Sequence, residues 1–122
     1  MRLTENLSAN VNRIRAYSTP EIIVNNQSIK SAVILDAHSL QIESELREVC
    51  DLNTTHISYV LTLKPELVIL GSGIQQIFPT SQWSAQFLKA GVGFEVMDTG
   101  AACRTFNVLI AESRRVVAIL IP

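Results

Sequence analysis

The sequence predicts one mixed α/β (α+β) domain, in which antiparallel strands come first and a strand–helix–strand–helix–strand succession follows. Three observations support this prediction. The chain has 122 residues, the size of a single domain with one core. Short apolar segments separated by turn residues make up most of the first 45 positions. From Leu67 onward, apolar runs typical of buried strands alternate with segments of helical periodicity.

The first half of the chain is expected to form antiparallel strands. Residues 1–12 are polar and unpatterned, so we expect a flexible N-terminal arm, followed by the single domain over residues 13–122. Residues 21–24 and 29–35 are typical of two strands around the Asn-rich turn of residues 25–27. A further turn then leads into another alternating segment.

In the second half of the chain, segments of helical periodicity alternate with apolar runs typical of buried strands. Thr54 or Thr55 can cap a short helix, which ends at Lys64-Pro65 because the residue before proline disfavours helical torsions. Residues 68–70 form the first apolar run. The remaining elements are a helix over residues 81–90, a strand over 94–98, a helix that Thr99 can cap and a strand over 116–121. Strands in such a succession are expected to be parallel and joined by right-handed crossovers.

Composition excludes several classes of function. Ten basic and 11 acidic residues give a net charge of −1, so the charge balance does not indicate a nucleic-acid-binding protein. No apolar run approaches the roughly 18 residues of a membrane span, and the N-terminus lacks an apolar signal segment. We therefore expect a cytoplasmic protein with no integral membrane segment. Cys50 and Cys103 form no disulfide framework and have no zinc-ligand spacing with His38 or His56, so no metal or cofactor is expected.

The apolar run ending in Gly71-Ser72-Gly73 resembles the start of a dinucleotide-binding loop. That fingerprint needs a third glycine and a helix that begins directly at the loop, because the pyrophosphate sits on the helix N-terminus. Gln76 occupies the third glycine position, and Pro79 intervenes before the next helix. Asp98 does end the following strand, where a ribose-binding acid would lie. The pattern favours a backbone turn that requires glycine torsions over a nucleotide site.

A second candidate segment begins at Asp98, where a strand becomes a helix. Either Asp98 or Thr99 can cap that helix, and its free N–H groups and dipole would favour a nearby anion. Cys103 falls near the first turn, where a thiol can be acidic. A nucleophilic cysteine also needs a base, and no motif links either histidine to Cys103. A buried core cysteine is therefore favoured over a reactive thiol. Asp98-Thr99-Gly100 also matches the aspartic protease tripeptide, yet it feeds a helix rather than lying in an all-β lobe.

These two segments predict one pocket, because loops that follow parallel strands gather at the carboxyl edge of the sheet. The predicted pocket residues are Gly71, Ser72, Gly73, Asp98, Thr99, Gly100, Cys103 and Arg104. No catalytic residue is assigned among them, since no nucleophile–base pair is assembled in the sequence.

The same segments carry a family resemblance. LVILGSG followed by IFP, and GVGFEVMDTGAACRTFNVLIAE followed by RRVVAILI, resemble the small family 498 of domains of unknown function, closely over residues 64–121 and loosely over 14–63. The resemblance implies a three-layer β/β/α domain and no particular reaction. The positions that match the family signature are Gly71, Gly73, Phe78, Pro79, Asp98, Thr99, Gly100, Cys103, Arg104 and Asn107.

The resemblance also frames the functional hypotheses. The family's relatives include a mitochondrial assembly factor for respiratory complex I, which implies protein partners and respiratory-complex assembly. The leading hypothesis is therefore a non-enzymatic binding or assembly module. The alternative is a small-molecule or anion-binding enzyme that uses the Gly71–Gly73 loop with Asp98, Thr99 and Cys103. A structural homo-oligomer is a third reading, and the sequence leaves the oligomeric state open.

Overall fold

The computed structural model describes residues 11–122. The strands are β1 (Ile14–Ser18), β2 (Glu21–Val24), β3 (Gln27–Ile29), β4 (Ala32–Leu35), β5 (Leu40–Glu43), β6 (Leu67–Gly71), β7 (Gly93–Met97) and β8 (Val116–Leu120). The helices are α1 (Thr54–Thr62), α2 (Ser81–Lys89) and α3 (Thr99–Ala111), with a short 3₁₀ turn at Val49–Asp51. The flexible arm predicted over residues 1–12 lies almost entirely outside the described residues.

Two sheets form the scaffold. β1, β2 and β3 make an antiparallel three-stranded sheet, and the larger sheet has the strand order β5-β4-β8-β6-β7. In the larger sheet β4 pairs antiparallel with β5 and β8, whereas β6 pairs parallel with β7 and β8. The predicted mixed α/β domain, with antiparallel strands first and parallel strands afterwards, is confirmed.

The five-stranded sheet is the central layer, because its inner strands are buried on both faces. Alternate residues of β6 face opposite sides, as the two-residue period of a strand requires. Val68 packs in a core with Trp83 and Phe87 of α2, on the side that also holds α1. Ile69 packs on the other side with Phe106 of α3 and with the three-stranded sheet. The larger sheet is thus covered by two helices on one face and by the small sheet and α3 on the other.

Two local predictions are wrong. Asn53, not Thr54 or Thr55, caps α1, and its side chain accepts from Thr55 N at 2.9 Å and His56 N at 3.2 Å. All these residue types can cap, so the sequence alone did not separate them. Residues 29–35 do not form one strand, because β3 ends at Ile29 in the small sheet and β4 begins at Ala32 in the large one.

Candidate functional site

The two glycine-containing segments meet at one edge of the larger sheet. β6 and β7 are adjacent and parallel, so the loops that follow Gly71 and Met97 leave from the same end. Thr99 N donates to Gly73 O at 2.8 Å, and Gly73 N donates to Thr99 Oγ1 at 2.8 Å. The segments that the sequence placed together are therefore joined by a reciprocal pair of hydrogen bonds.

Thr99 is a buried residue that links neighbouring elements through hydrogen bonds. Its side chain is fully buried, and Oγ1 also donates to Ile121 O at 2.6 Å, just beyond β8. The helix cap is Asp98, whose Oδ1 accepts from Ala101 N at 2.9 Å. Of the two predicted caps, Asp98 is therefore the one that caps α3, and Thr99 does not, because its hydroxyl points inward and links the β6 loop, the start of α3 and the end of β8.

Gly71 and Gly73 are required by two different constraints. A Cβ on Gly71 would lie 3.0 Å from Ala102 Cβ, from Leu120 Cδ2 and from Thr99 Oγ1, so the strand end admits no side chain without displacement. Gly73 has open space around it but a φ of +108°, a conformation that favours glycine. These glycines allow a close approach and a turn respectively.

Ser72 shapes the loop between these elements. The residue is buried, and its Oγ donates to Gln75 O at 2.6 Å while accepting from Ile77 N at 2.8 Å. Its backbone N–H donates to Met97 O at 2.9 Å, which extends the pairing with β7 by one residue. The hydroxyl of Ser72 is thus engaged in holding a tight loop.

Cys103 is a core residue with a protonated thiol. It is 5% exposed and packs in the core between α3 and the small sheet. Burial raises the pKa of the Cys103 thiol to about 12, with Arg104 opposing the shift and Asp98 adding to it. Because the thiolate is the nucleophile, this thiol has little reactivity at neutral pH.

Three side chains surround Gly100 in the first turn of α3. A Cβ there would lie 3.3 Å from Asp98 Oδ1, 3.5 Å from Arg104 Nη1 and 3.7 Å from Tyr17 Cδ2. Arg104 is exposed, whereas the Tyr17 hydroxyl is buried and has no hydrogen-bond partner among residues 11–122. Sequence reasoning missed Tyr17 because nothing in β1 signals that it reaches α3.

Asn107 connects the same helix to β1. Its Oδ1 accepts from Ile14 N at 2.9 Å, and its Nδ2 donates to Ile14 O at 2.7 Å. A side-chain amide carries a donor NH₂ group and an acceptor oxygen, so here it satisfies both backbone groups of a strand residue. This signature position therefore has a structural role.

The loop that follows Ser72 exposes large apolar side chains. Ile74 is 76% exposed, Ile77 50% and Phe78 68%. We call residues 74–78 the apolar loop. Sequence reasoning included Phe78 only as a signature position and did not identify a surface; the available signal was an apolar IFP segment outside any predicted helix or strand.

Four surface clefts lie elsewhere. Clefts of about 670, 420, 350 and 340 Å³ are lined by other residues, and none of these four includes any of the eight predicted pocket residues. Within the described chain, no three His, Cys, Asp or Glu side chains gather where they could hold a metal ion. None of the three helices there is long and apolar enough to cross a membrane.

The family model for proteins of unknown function DUF498/DUF598 matches residues 14–121. The chain belongs to this family. The DUF498/DUF598 match spans both sheets and all three helices, so it covers the loops after β6 and β7 together with β1 and Asn107. The family assignment that the quoted segments predicted is confirmed.

The named relatives of the chain differ in what their names describe. The 13 kDa major membrane protein of Francisella tularensis is 28% identical over 108 residues, which are 88% of each chain. The human NADH dehydrogenase (ubiquinone) 1 alpha subcomplex assembly factor 3 is 30% identical over 111 residues, covering 89% of this chain but 60% of the human protein. The chain thus spans about 60% of the length of that assembly factor.

A solved structure shares the whole architecture. The crystal structure of a Bordetella parapertussis protein has a TM-score of 0.83 and 32% identity, and the alignment covers 92% of this chain and 96% of that one. This likeness supports the fold and carries no reaction with it.

Proposed function

We propose that this protein is a non-enzymatic protein-binding or assembly module that contacts its partner through the apolar loop. One observation carries the proposal: Ile74, Ile77 and Phe78 are 76%, 50% and 68% exposed on a single loop. Large apolar side chains that are exposed close together in the sequence favour an interaction site, because a partner that covers them removes apolar area from water.

The loop is held in shape before any partner arrives. Ser72 Oγ bonds to Gln75 O and Ile77 N, and Gly73 is bonded to Thr99 at both its N–H and its C=O. Ordering a flexible loop on binding costs free energy, so a preorganised loop binds more tightly for the same contacts. In this proposal, the signature residues support the binding surface.

The assembly-factor relatives support the same class of function. By similarity to them, we propose that the partner is a component of a respiratory NADH dehydrogenase or of its assembly intermediates. The cytoplasmic location stays a prediction, and the name of the Francisella relative points to the membrane as the competing location.

The test uses the full chain as bait in a native extract. We compare the wild type with an Ile74→Ser, Phe78→Ser double variant and with a control, Ile42→Ser. Ile42 is 47% exposed on β5, at the edge of the sheet opposite β7, so the control removes a similar side chain from a distant place. Truncating two contact residues at about 1 kcal/mol or more each should weaken capture at least about tenfold.

The outcomes separate cleanly. Loss of the partner from the loop variant alone supports the proposal, provided that its thermal unfolding matches the wild type. Equal capture by wild type and loop variant, or a wild type that captures nothing above background at native abundance, would overturn it.

A second function is favoured by a different observation. The Tyr17 ring and the exposed Arg104 guanidinium lie beside Gly100, and the buried Tyr17 hydroxyl has no hydrogen-bond partner among residues 11–122. An anion or small molecule could therefore be held near Gly100 by an enzyme that uses the Gly71–Gly73 loop with Asp98, Thr99 and Cys103. The Asp98 carboxylate already caps α3, which disfavours a second anion at that terminus. We therefore rank this function below protein binding.

A thermal-shift titration tests the second function. Inorganic phosphate and nucleoside monophosphates should raise the unfolding temperature of the wild type, and Arg104→Gln should abolish the effect. If neither probe shifts the wild type, the anion-binding function is refuted.

A further inference from the structure

The outer edge of β7 is an end of the larger sheet, and in the described part of the chain no strand pairs with it. Gly93 N donates to Glu66 O at 3.0 Å, so Gly93 directs its backbone groups toward β6. Because these groups alternate in direction along a strand, Phe94 and Val96 direct their N–H and C=O groups away from β6. β7 therefore presents two residues that can pair with another strand.

One side chain occupies part of this edge. Nε2 of Gln76 donates to Val96 O at 2.9 Å, in agreement with the outward direction of that carbonyl. Gln76 is exposed, so the N–H of an incoming strand can take its place. Gln76 belongs to the apolar loop, and its neighbours Ile77 and Phe78 consequently border the same edge.

The two faces of β7 differ in chemistry. The side chains of Phe94 and Val96 pack against the core under α1 and α2, and the Phe94 ring centroid lies 4.9 Å from that of Phe87. Glu95 is exposed on the opposite face. An antiparallel strand that bonds to Phe94 and Val96 places its central residue directly opposite Glu95, and places the residues on either side over the apolar face.

Charge decides between two kinds of added strand. A second copy of this chain, pairing β7 with β7 in the register that uses both Phe94 and Val96, would set Glu95 opposite Glu95, and like charges in that position destabilise a pair. Charged residues on edge strands are a common protection against such self-pairing. A basic residue opposite Glu95 stabilises the pair instead.

We propose that β7 binds an extended segment of a partner protein as an added antiparallel strand, with a lysine or arginine opposite Glu95 and an apolar residue on each side of it. Strand addition deepens the proposed protein-binding function, on which it rests, by naming how the partner is recognised. Backbone hydrogen bonds to Phe94 and Val96 supply affinity, and Ile77 and Phe78 contact the flanking apolar residues.

The test is a titration of the isotope-labelled full chain, followed by amide resonances. The probes are a blocked peptide centred on Val-Lys-Val, a matched Val-Glu-Val peptide and a Val-Lys-Val peptide with N-methylated valines. We expect the first peptide to shift the Phe94 and Val96 amides and to slow their hydrogen exchange. The Val-Glu-Val peptide should bind about fivefold more weakly, and the N-methylated peptide should not bind.

Two variants sharpen the test. Glu95→Lys should reverse the preference, so that the Val-Glu-Val peptide binds more tightly than Val-Lys-Val. Gln76→Ala should strengthen binding of the Val-Lys-Val peptide, because it frees the Val96 carbonyl. A general disturbance of the fold would weaken both peptides in both variants, so these opposite directions distinguish recognition from damage.

Several results would overturn strand addition. One is that no peptide shifts the Phe94 and Val96 amide resonances. Another is equal affinity for the Val-Lys-Val and Val-Glu-Val peptides, and a third is weaker binding of Val-Lys-Val by the Gln76→Ala variant. Concentration-dependent shifts of the same amides without peptide would identify a second copy as the occupant and would also overturn it. If the Ile74→Ser, Phe78→Ser variant loses the native partner while Glu95→Lys retains it, the apolar loop is supported and strand addition is not.

Discussion

Replacing Thr99 with valine tests whether the Asp98-Thr99-Gly100 segment is a structural fastening. Valine has nearly the same shape as threonine, so packing is kept while Oγ1 is removed. In the structure that oxygen donates to Ile121 O at 2.6 Å and accepts from Gly73 N at 2.8 Å, in a residue that is 0% exposed. The substitution therefore leaves a donor and an acceptor without a partner.

The expected loss of stability follows from the burial of those two groups. Leaving a buried polar group unsatisfied costs about 1–3 kcal/mol. The Ile121 carbonyl is buried, so losing its hydrogen bond costs the full amount. Gly73 is partly exposed, so water can bond to its N–H and the cost there is smaller. We expect the free energy of unfolding to fall by about 2–4 kcal/mol in total, compared with about 5–15 kcal/mol for a typical domain. The melting temperature should fall by roughly 6–20 °C.

Urea unfolding, followed by the fluorescence of the single tryptophan Trp83, measures this loss. The matched control is Thr99→Ser, which keeps the hydroxyl and removes a methyl group at a cost of about 1 kcal/mol. The urea midpoint of Thr99→Val should fall well below that of Thr99→Ser at an unchanged slope. A valine variant as stable as the serine variant would refute the role of the hydroxyl.

Four further predictions concern Gly71, the two cysteines and Asn107. Gly71→Ala should lower stability by about 1–3 kcal/mol in the same urea assay, because its Cβ would meet three atoms at 3.0 Å. In the folded chain at pH 8, Cys50 should react with iodoacetamide while Cys103 stays unlabelled by mass spectrometry; fast labelling of Cys103 would refute its burial. Since the folded pKa of Cys103 is raised to about 12 from an ordinary 9.0, its contribution to stability should be complete below pH 9 and be lost toward pH 12. Asn107→Asp keeps the acceptor for Ile14 N but loses the donor to Ile14 O, so β1 amides should exchange faster, with stability lower by about 1–3 kcal/mol.

Local signals in the sequence were sufficient for the second half of the fold. The apolar runs that became β6 and β8 are continuous, and the predicted helix over residues 81–90 forms as α2, followed by Gly91 with a φ of +75°. The position of β8 between β4 and β6 could not be predicted, because strand order depends on contacts distant in sequence. The passage between sheets after Ile29 was missed for the same reason.

Some features of the candidate site could likewise be predicted from the sequence, and others could not. The proximity of the loops at Gly73 and Thr99 followed from a rule about parallel strands, and the structure joins them directly. Whether Asp98 or Thr99 caps α3 did not follow, since both residue types cap helices and only burial separates them. The link between Asn107 and Ile14 spans 93 positions and has no local signal. The eight-residue pocket, as a ligand site, stays a prediction.

The central place of β8 has a consequence for biosynthesis. Residues 116–120 separate β4 from β6, so both strands keep an unpaired apolar edge on the nascent chain until those residues leave the ribosome. Pairing across such sequence distances is slow, and exposed apolar strands aggregate while they wait. We therefore expect newly made chains to need chaperone protection, even though the completed sheet buries both edges.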